Sequence, residues 1–318
     1  MTNKTKMIAF GPVPSRRLGQ SLGINNIPPK TCSYSCIYCQ IGRTLNMNVN
    51  KQVFYEPKEI LEEVKNKVKE SKIKDESIDY LAFVPDGEPT LDINLGEEIE
   101  ILSSLGIKIA VITNSSLLWK KEVRDKLCKA DWVSVKIDAI NKDIWKKIDR
   151  PYKSLKLDRI LDGISKFSRA FDGDLVTETM LIKDVNDSEK ELEAIADFIS
   201  GLNHKKSYIS IPIRPPTEKW VKPADEQEIN TAYQIFKEKE IDVEYLIDYE
   251  GNSFAFTKNV EEDLLSITSV HPMRREGVEV FLQKANANWE VINKLLGENK
   301  LIKLQYHGKD FYMKKIRN

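Results

Sequence analysis

Cysteine is scarce in this chain, with four in 318 residues, which rules out the disulfide framework that staples small secreted domains. Charge of one sign is missing too: 49 Lys and Arg stand against 49 Asp and Glu. A formal net charge of zero gives no global electrostatic case for nucleic acid or an anionic membrane surface. Long apolar runs are absent. The first ten residues hold only a four-residue apolar patch at 7–10, far short of a secretory h-region or a membrane span. Low-complexity tracts and strong short repeats are lacking as well. The expectation is a reducing, cytoplasmic setting with no membrane partner. With 41% apolar and 31% charged residues, the core should suffice for one sizeable domain and a small one.

Three of the four cysteines crowd into one loop, Cys32-Ser-Tyr-Ser-Cys36-Ile-Tyr-Cys39. C-x-x-x-C-x-x-C spacing offers three thiolates to three corners of an iron–sulfur cube, which usually takes four cysteine ligands. One iron is then left for a ligand that is not protein, and an open position separates catalytic metal sites from structural ones. A structural zinc site would need a fourth ligand close by, and no histidine lies near in sequence. Cys128, in the helical run Lys-Leu-Cys-Lys, reads as a small buried core residue.

With Tyr38 just before the last cysteine, the run resembles the signature of the radical S-adenosylmethionine (SAM) superfamily. The resemblance implies a partial (β/α)6 barrel, a 4Fe-4S cluster on Cys32, Cys36 and Cys39, and SAM chelated at the open iron. An external low-potential electron donor of the flavodoxin or ferredoxin type would reduce the cluster. SAM would then be cleaved to methionine and a 5′-deoxyadenosyl radical that takes a hydrogen atom from the substrate. Tyr38 would hold the adenine through its backbone while its ring packs beside the cluster, with simple core packing as the alternative. The flanking stretch, Phe10-Gly-Pro-Val-Pro-Ser-Arg-Arg-Leu-Gly19 through Cys39-Gln-Ile-Gly42, is similar to a narrower branch, the wyosine-synthase-like iron–sulfur oxidoreductases. The wyosine-forming enzymes carry a second cluster near the N-terminus. No cysteine precedes Cys32 here, so what carries over is the chemistry of a single cluster.

Strand-like and helix-like segments alternate along the chain. Pro57 opens a helix with Ile60, Leu61, Val64 and Val68 on one face. Strands read at 78–84, 107–113, 132–138, 175–182, 207–212 and 243–247, and helices at 93–105, 120–129, 155–171, 189–202 and 225–239. Repeated strand–helix units imply an α/β fold with a parallel sheet and right-handed crossovers. The segment count fits an open doubly wound sheet as well as the partial barrel that the resemblance implies. Both architectures place chemistry at the carboxyl ends of the strands.

Those strand ends supply the candidate residues. Val84-Pro-Asp-Gly-Glu-Pro-Thr90 is similar to the superfamily's Gly-Gly-Glu-Pro element. The likeness implies that Glu88 and nearby carbonyls accept from the SAM ammonium, while Gly87 lets the backbone come close. Asp86 stands where glycine is more usual and is a candidate to reach the substrate; a plain turn is the alternative for the whole element. Asn114 ends the next strand with an amide suited to a ribose hydroxyl or the methionine carboxylate. Lys136 and Asp138 are two apart and share a face, either as an ion pair or as working groups. Glu178 is expected inside the barrel, where a carboxylate needs a partner such as the SAM ribose. Arg214 is a candidate clamp for a carboxylate or phosphate. Arg16 and Arg17 either face such a group or sit in a solvated turn, and Asn186 or Asp187 reads as a helix N-cap.

The chain is expected to divide into a barrel, residues 1–258, and a small winged-helix-like domain, residues 259–318. In the latter, a helix at 288–296 precedes a hairpin in which Ile302, Leu304 and Tyr306 alternate with Lys303 and Gln305, with a return strand at 311–316. Winged helices often read nucleic acid, yet residues 260–318 carry 10 basic and 8 acidic side chains, a small excess for phosphate binding. His271, at the junction, is a candidate acid or base. Three functions compete. A radical SAM enzyme acting on a tRNA nucleotide leads. Radical modification of a protein or small molecule fits the neutral charge. A non-enzymatic iron–sulfur sensor that binds DNA would have no need of Gly87, Glu88 or an open iron.

Overall fold

The computed structural model describes residues 8–247, 254, 256 and 259–315. The chain starts with an antiparallel pair, β1 (Ala9–Ser15) and β2 (Gly19–Ile24). A short parallel pair, β3 (Thr31–Cys32) and β4 (Asn46–Met47), brackets the cysteine loop. Strand–helix units follow: α1 (Pro57–Ile73), β5 (Tyr80–Phe83), α2 (Leu95–Ser103), β6 (Lys108–Thr113), α3 (Lys121–Leu127), β7 (Trp132–Lys136), α4 (Lys142–Ile148) and α5 (Leu157–Ala170). Then come β8 (Asp174–Met180), α6 (Glu189–Ser200), β9 (Lys206–Ser210), α7 (Glu226–Glu238) and β10 (Val243–Leu246). The main sheet runs β1-β2-β5-β6-β7-β8-β9-β10. From β2 to β10 all pairings are parallel, and its two ends are β1 and β10, so the wall is a partial barrel.

Local chemistry accounts for the elements. Pro57 opens α1, where a missing N–H costs nothing, and Ile60, Val64 and Val68 bury one stripe of it. Asp225 and Glu228 form a reciprocal capping box at the start of α7. Helices and the outer face of the sheet share the main core, which includes Phe83, Val111, Val133, Phe167 and Ile209. Burying each such side chain contributes about 1.5–3 kcal/mol. A smaller cluster with Ala82, Ala110, Trp132, Val176, Tyr208 and Leu246 draws on β5 to β10, omitting Glu178 and Ser210 farther along β8 and β9.

Two elements differ from expectation. β1 and β2 occupy a segment rich in Pro and Gly, where no period-2 pattern announces strands, yet β2 pairs in parallel with β5 and is the first strand of the barrel. α4 is a further helix, capped by Asn141, whose side chain accepts from the backbone N–H groups of Asp143 and Ile144. Among the described residues, no helix is long and apolar enough to cross a membrane.

After the barrel come α8 (Val260–Val270), β11 (Met273–Arg274), α9 (Arg275–Lys284), α10 (Glu290–Gly297), β12 (Leu301–Tyr306) and β13 (Lys309–Lys314). The last three strands form an antiparallel sheet, β11-β13-β12, in a winged-helix-like arrangement. Residue 258 and the expected end of the return strand at Ile316 lie outside the described residues. This small core takes Phe10 and Val13 from β1, so the tail is built onto the edge of the barrel.

Candidate active site

The cysteine loop is held from several sides by backbone bonds. Ser35 N–H donates to the Asp149 carbonyl at 3.0 Å, and Ile37 N–H donates to that of Ile148 at 2.9 Å, so α4 anchors the loop. On the other side Thr217 Oγ1 donates to the Cys39 carbonyl at 2.6 Å, and Glu218 N–H to the Ile37 carbonyl at 3.1 Å. The segment after β9 is thus strapped over the loop. Glu218 also accepts from Arg43 at 3.0 Å and from Arg150 at 2.5 Å, tying loop, strap and the end of α4 together.

All three loop cysteines line one cavity of about 320 Å³, with Tyr38, Asp86, Gly87, Asn114, Lys136, Glu178 and Arg214. Burial pushes the Cys32 thiol up to about 12, helped by the nearby Glu88 charge; it also raises Cys36 well above the usual range and raises Cys39. Buried thiols without a cation are inert, and a metal inverts that by taking them as thiolates. Cys32 Sγ already receives N–H donors, the Asn114 amide at 3.4 Å and the Tyr34 backbone at 3.5 Å, as a thiolate ligand would. Among the described residues no three His, Cys, Asp or Glu side chains group around a single ion; a cluster distributes its thiolates over separate irons. Three loop thiols lining one cavity are a donor set that fits an iron–sulfur cluster.

Glu178 lies at the centre of the charged wall. Its carboxylate accepts from Lys136 at 2.9 Å, from Ser210 at 3.1 Å and from the Arg17 guanidinium. Burial alone would raise it, but Lys136 and Arg17 hold it down at about 2. Burial pulls Lys136 the other way, and Glu178 and Asp138 outweigh that, so its ammonium is stabilised. Lys136 pairs with Glu178 because β7 and β8 place the two side by side in parallel register, not with Asp138 as the spacing of two suggested. Asp138 instead accepts from the Tyr38 hydroxyl and from Met180 N–H at 2.8 Å. Arg17 is the cavity-wall residue that sequence reasoning left open: its bond to Glu178 spans 161 residues.

The Pro-Asp-Gly-Glu element divides its labour. Glu88 does not line the cavity. Its carboxylate accepts from Thr90 N–H at 3.1 Å, Thr90 Oγ1 at 2.5 Å, Thr113 Oγ1 at 2.7 Å and Asn114 N–H at 2.7 Å, locking the end of β5 to the end of β6. Gly87 makes room for the chain itself: a Cβ there would stand 1.8 Å from the Thr31 carbonyl oxygen. Asp86 does face the cavity. It is buried, its Oδ1 meets no hydrogen-bond partner among the described residues, and burial raises it to about 7 against the pull of Lys314 and Lys30.

Other candidates fall farther out. Arg214 lines the cavity, donates to Gln40 Oε1 at 3.0 Å and lies 3.0 Å from His271 Nε2. His271 does not line it; burial and the Arg214 charge keep its imidazole neutral. Asn186 is no N-cap: Ser188 takes that position, and the Asn186 amide donates to the Asp138 and Met180 carbonyls, each at 2.8 Å. Cys128 is exposed at the end of α3, because it falls on the outward side of that short helix, and not in the core as its residue type suggested. Among the described residues that line the cavity, Arg16, Arg17, Lys30, Lys136 and Arg214 face two acidic side chains, Asp86 and Glu178, so the site favours anionic groups.

A family model described as the Radical SAM superfamily matches residues 26–199. A UPF0026 protein of Methanocaldococcus jannaschii is 49% identical over 313 residues, 98% of this chain and 97% of that protein. A more distant relative, the probable dual-specificity RNA methyltransferase RlmN of Shouchella clausii, is 24% identical over 198 residues, 59% of this chain and 53% of that protein. Among solved structures, TYW1 with a lysine-pyruvate adduct bound has a similar fold, with a TM-score of 0.50 and 17% identity over 69% of this chain and 73% of that one.

Proposed function

Because the chain belongs to the radical SAM superfamily, we propose that this cavity is a radical SAM active site acting on a nucleotide within RNA, with tRNA as the leading substrate. The superfamily consists of enzymes that use a 4Fe-4S cluster and SAM with an external electron donor. The observation that carries the reading is the meeting of three buried loop thiols with Asp86, Asn114, Lys136, Glu178 and Arg214 in one cavity. Bound there, the cluster and SAM supply one-electron reductive cleavage and hydrogen-atom abstraction from the substrate.

The chain's own residues prepare that chemistry. Cys32, Cys36 and Cys39 hold the cluster, and Asn114 steadies the sulfur of Cys32. Asp86 Oδ1 is the acceptor that suits an ammonium such as that of SAM, since Asp86 lines the cavity whereas Glu88 does not and already accepts from Thr90, Thr113 and Asn114. Glu178, fixed by Lys136 and Arg17, presents a carboxylate edge for a ribose hydroxyl. Tyr38, tied to Asp138, closes the wall beside the cysteines. Arg214 offers a guanidinium to a phosphate or carboxylate of the substrate. The thiols need a reducing compartment, which favours the cytoplasm.

Three features support RNA: the resemblance to the wyosine-synthase-like branch, a relative named as an RNA methyltransferase, and a winged-helix-like tail built onto the barrel edge. The test is retention of RNA from cell extract by anaerobically purified protein across a salt series. Recovery of tRNA that weakens as salt rises is the expected result. Absence of salt-sensitive tRNA binding in a protein that cleaves SAM would refute the RNA substrate and leave a protein or small molecule in its place.

A further inference from the structure

Cys39 lines a second cavity besides the first, of about 610 Å³, between the cysteine loop and the terminal hairpin. Its apolar walls are Ile41 of the loop, Pro215 and Pro216 of the strap, and Ile302, Leu304 and Met313 of β12 and β13. Lys30, Lys314 and Lys315 line it too, with Gln40, Gly42 and Thr217, and among the described residues no acidic or aromatic side chain belongs to it. Ile302, Leu304 and both prolines are half-buried, and Lys315 is exposed.

We infer that this cavity is the docking surface of the reducing partner, a small low-potential electron-transfer protein with an acidic face. The inference rests on the reading of Cys39 as a cluster ligand. An electron reaches a buried cluster most readily where one of its ligands approaches the outside, and Cys39 is reached from both cavities. The carrier can therefore dock while the first cavity holds cofactor and substrate. An apolar centre whose charged groups, among the described residues, are lysines complements an acidic partner and steers its approach, and electron-transfer encounters need only a small interface. RNA fits this surface less well, since among the described residues no aromatic ring lines it on which a base could stack. The step is a transfer of one electron: the carrier is oxidised by one, the cluster is reduced by one, and no bond or proton needs to move.

The test uses anaerobic holoenzyme with its cluster, and follows bleaching of the cluster absorbance after mixing with reduced flavodoxin or, in parallel, with dithionite. Lys315→Glu and Ile302→Glu should each slow reduction by flavodoxin about tenfold and leave reduction by dithionite within twofold of wild type. Rising salt should slow the flavodoxin reaction of wild type. Wild-type flavodoxin rates in both variants would overturn the docking surface. So would a loss of tRNA retention with flavodoxin reduction intact, which would assign the lysines to RNA. If dithionite bleaches no cluster in wild type, the reading of the cysteines fails and this inference with it.

Discussion

The side-chain amide of Asn114 donates from Nδ2 to the sulfur of Cys32 across 3.4 Å. The amide cannot turn over freely, because its Oδ1 accepts from Ser116 N–H at 3.0 Å while its backbone N–H is held by Glu88. Hydrogen bonds to ligand sulfurs stabilise the more negative, reduced cluster and raise its potential. Asn114→Leu should therefore lower the midpoint potential. A differential bond of about 1 kcal/mol corresponds to roughly 40 mV for one electron. A redox titration of the reconstituted variant reads this directly, and an unchanged or higher potential would contradict it.

Glu178 gives a prediction in pH. Its folded-state pKa is depressed to about 2 from 4.5, so its contribution to stability is complete above the unfolded value and is lost as pH falls from about 4.5 toward 2. The size is on the order of 3 kcal/mol. The unfolding free energy of wild type minus that of Glu178→Gln should be largest near neutral pH and shrink across that window. A difference that stays flat from pH 7 to pH 3 would show that Lys136 and Arg17 do not hold the carboxylate charged.

Gly87 is required by packing. Its substitution by alanine would drive a Cβ to 1.8 Å from the Thr31 carbonyl, at the edge of the cysteine loop, where backbone rather than a flexible side chain must yield. Overpacking of this kind costs about 1–3 kcal/mol. Gly87→Ala should lower the melting temperature and reduce iron bound per chain together. Wild-type values of both would remove the argument.

Sequence and structure agree where signals are local. The cysteine spacing, the apolar run of β6 and the alternation in Leu301–Tyr306 are all legible from neighbouring residues. What escaped reading depends on distant parts of the chain. The pairing of Arg17 with Glu178, and the reach of Asn114 to Cys32 across 82 residues, exist only once parallel strands set their ends side by side. β2 was hidden because Gly19 and Gly23 weaken any strand pattern, and Gly23 is needed where the ring of Phe10 lies against it. α4 did carry a signal, an Asn141 cap before Lys-Asp-Ile-Trp, and its anchoring of the cysteine loop is what makes it matter to the site.

The central claim is that the loop cysteines support reductive cleavage of SAM, and release of 5′-deoxyadenosine tests it most directly. Anaerobically reconstituted wild type, Cys36→Ala and Cys128→Ser would each be given tRNA, SAM and dithionite. The account predicts release by wild type and by Cys128→Ser, whose thiol is exposed and away from the cavity, and none above background by Cys36→Ala. Equal release by Cys36→Ala, or none by a wild-type protein that carries a full cluster and its RNA substrate, would contradict it.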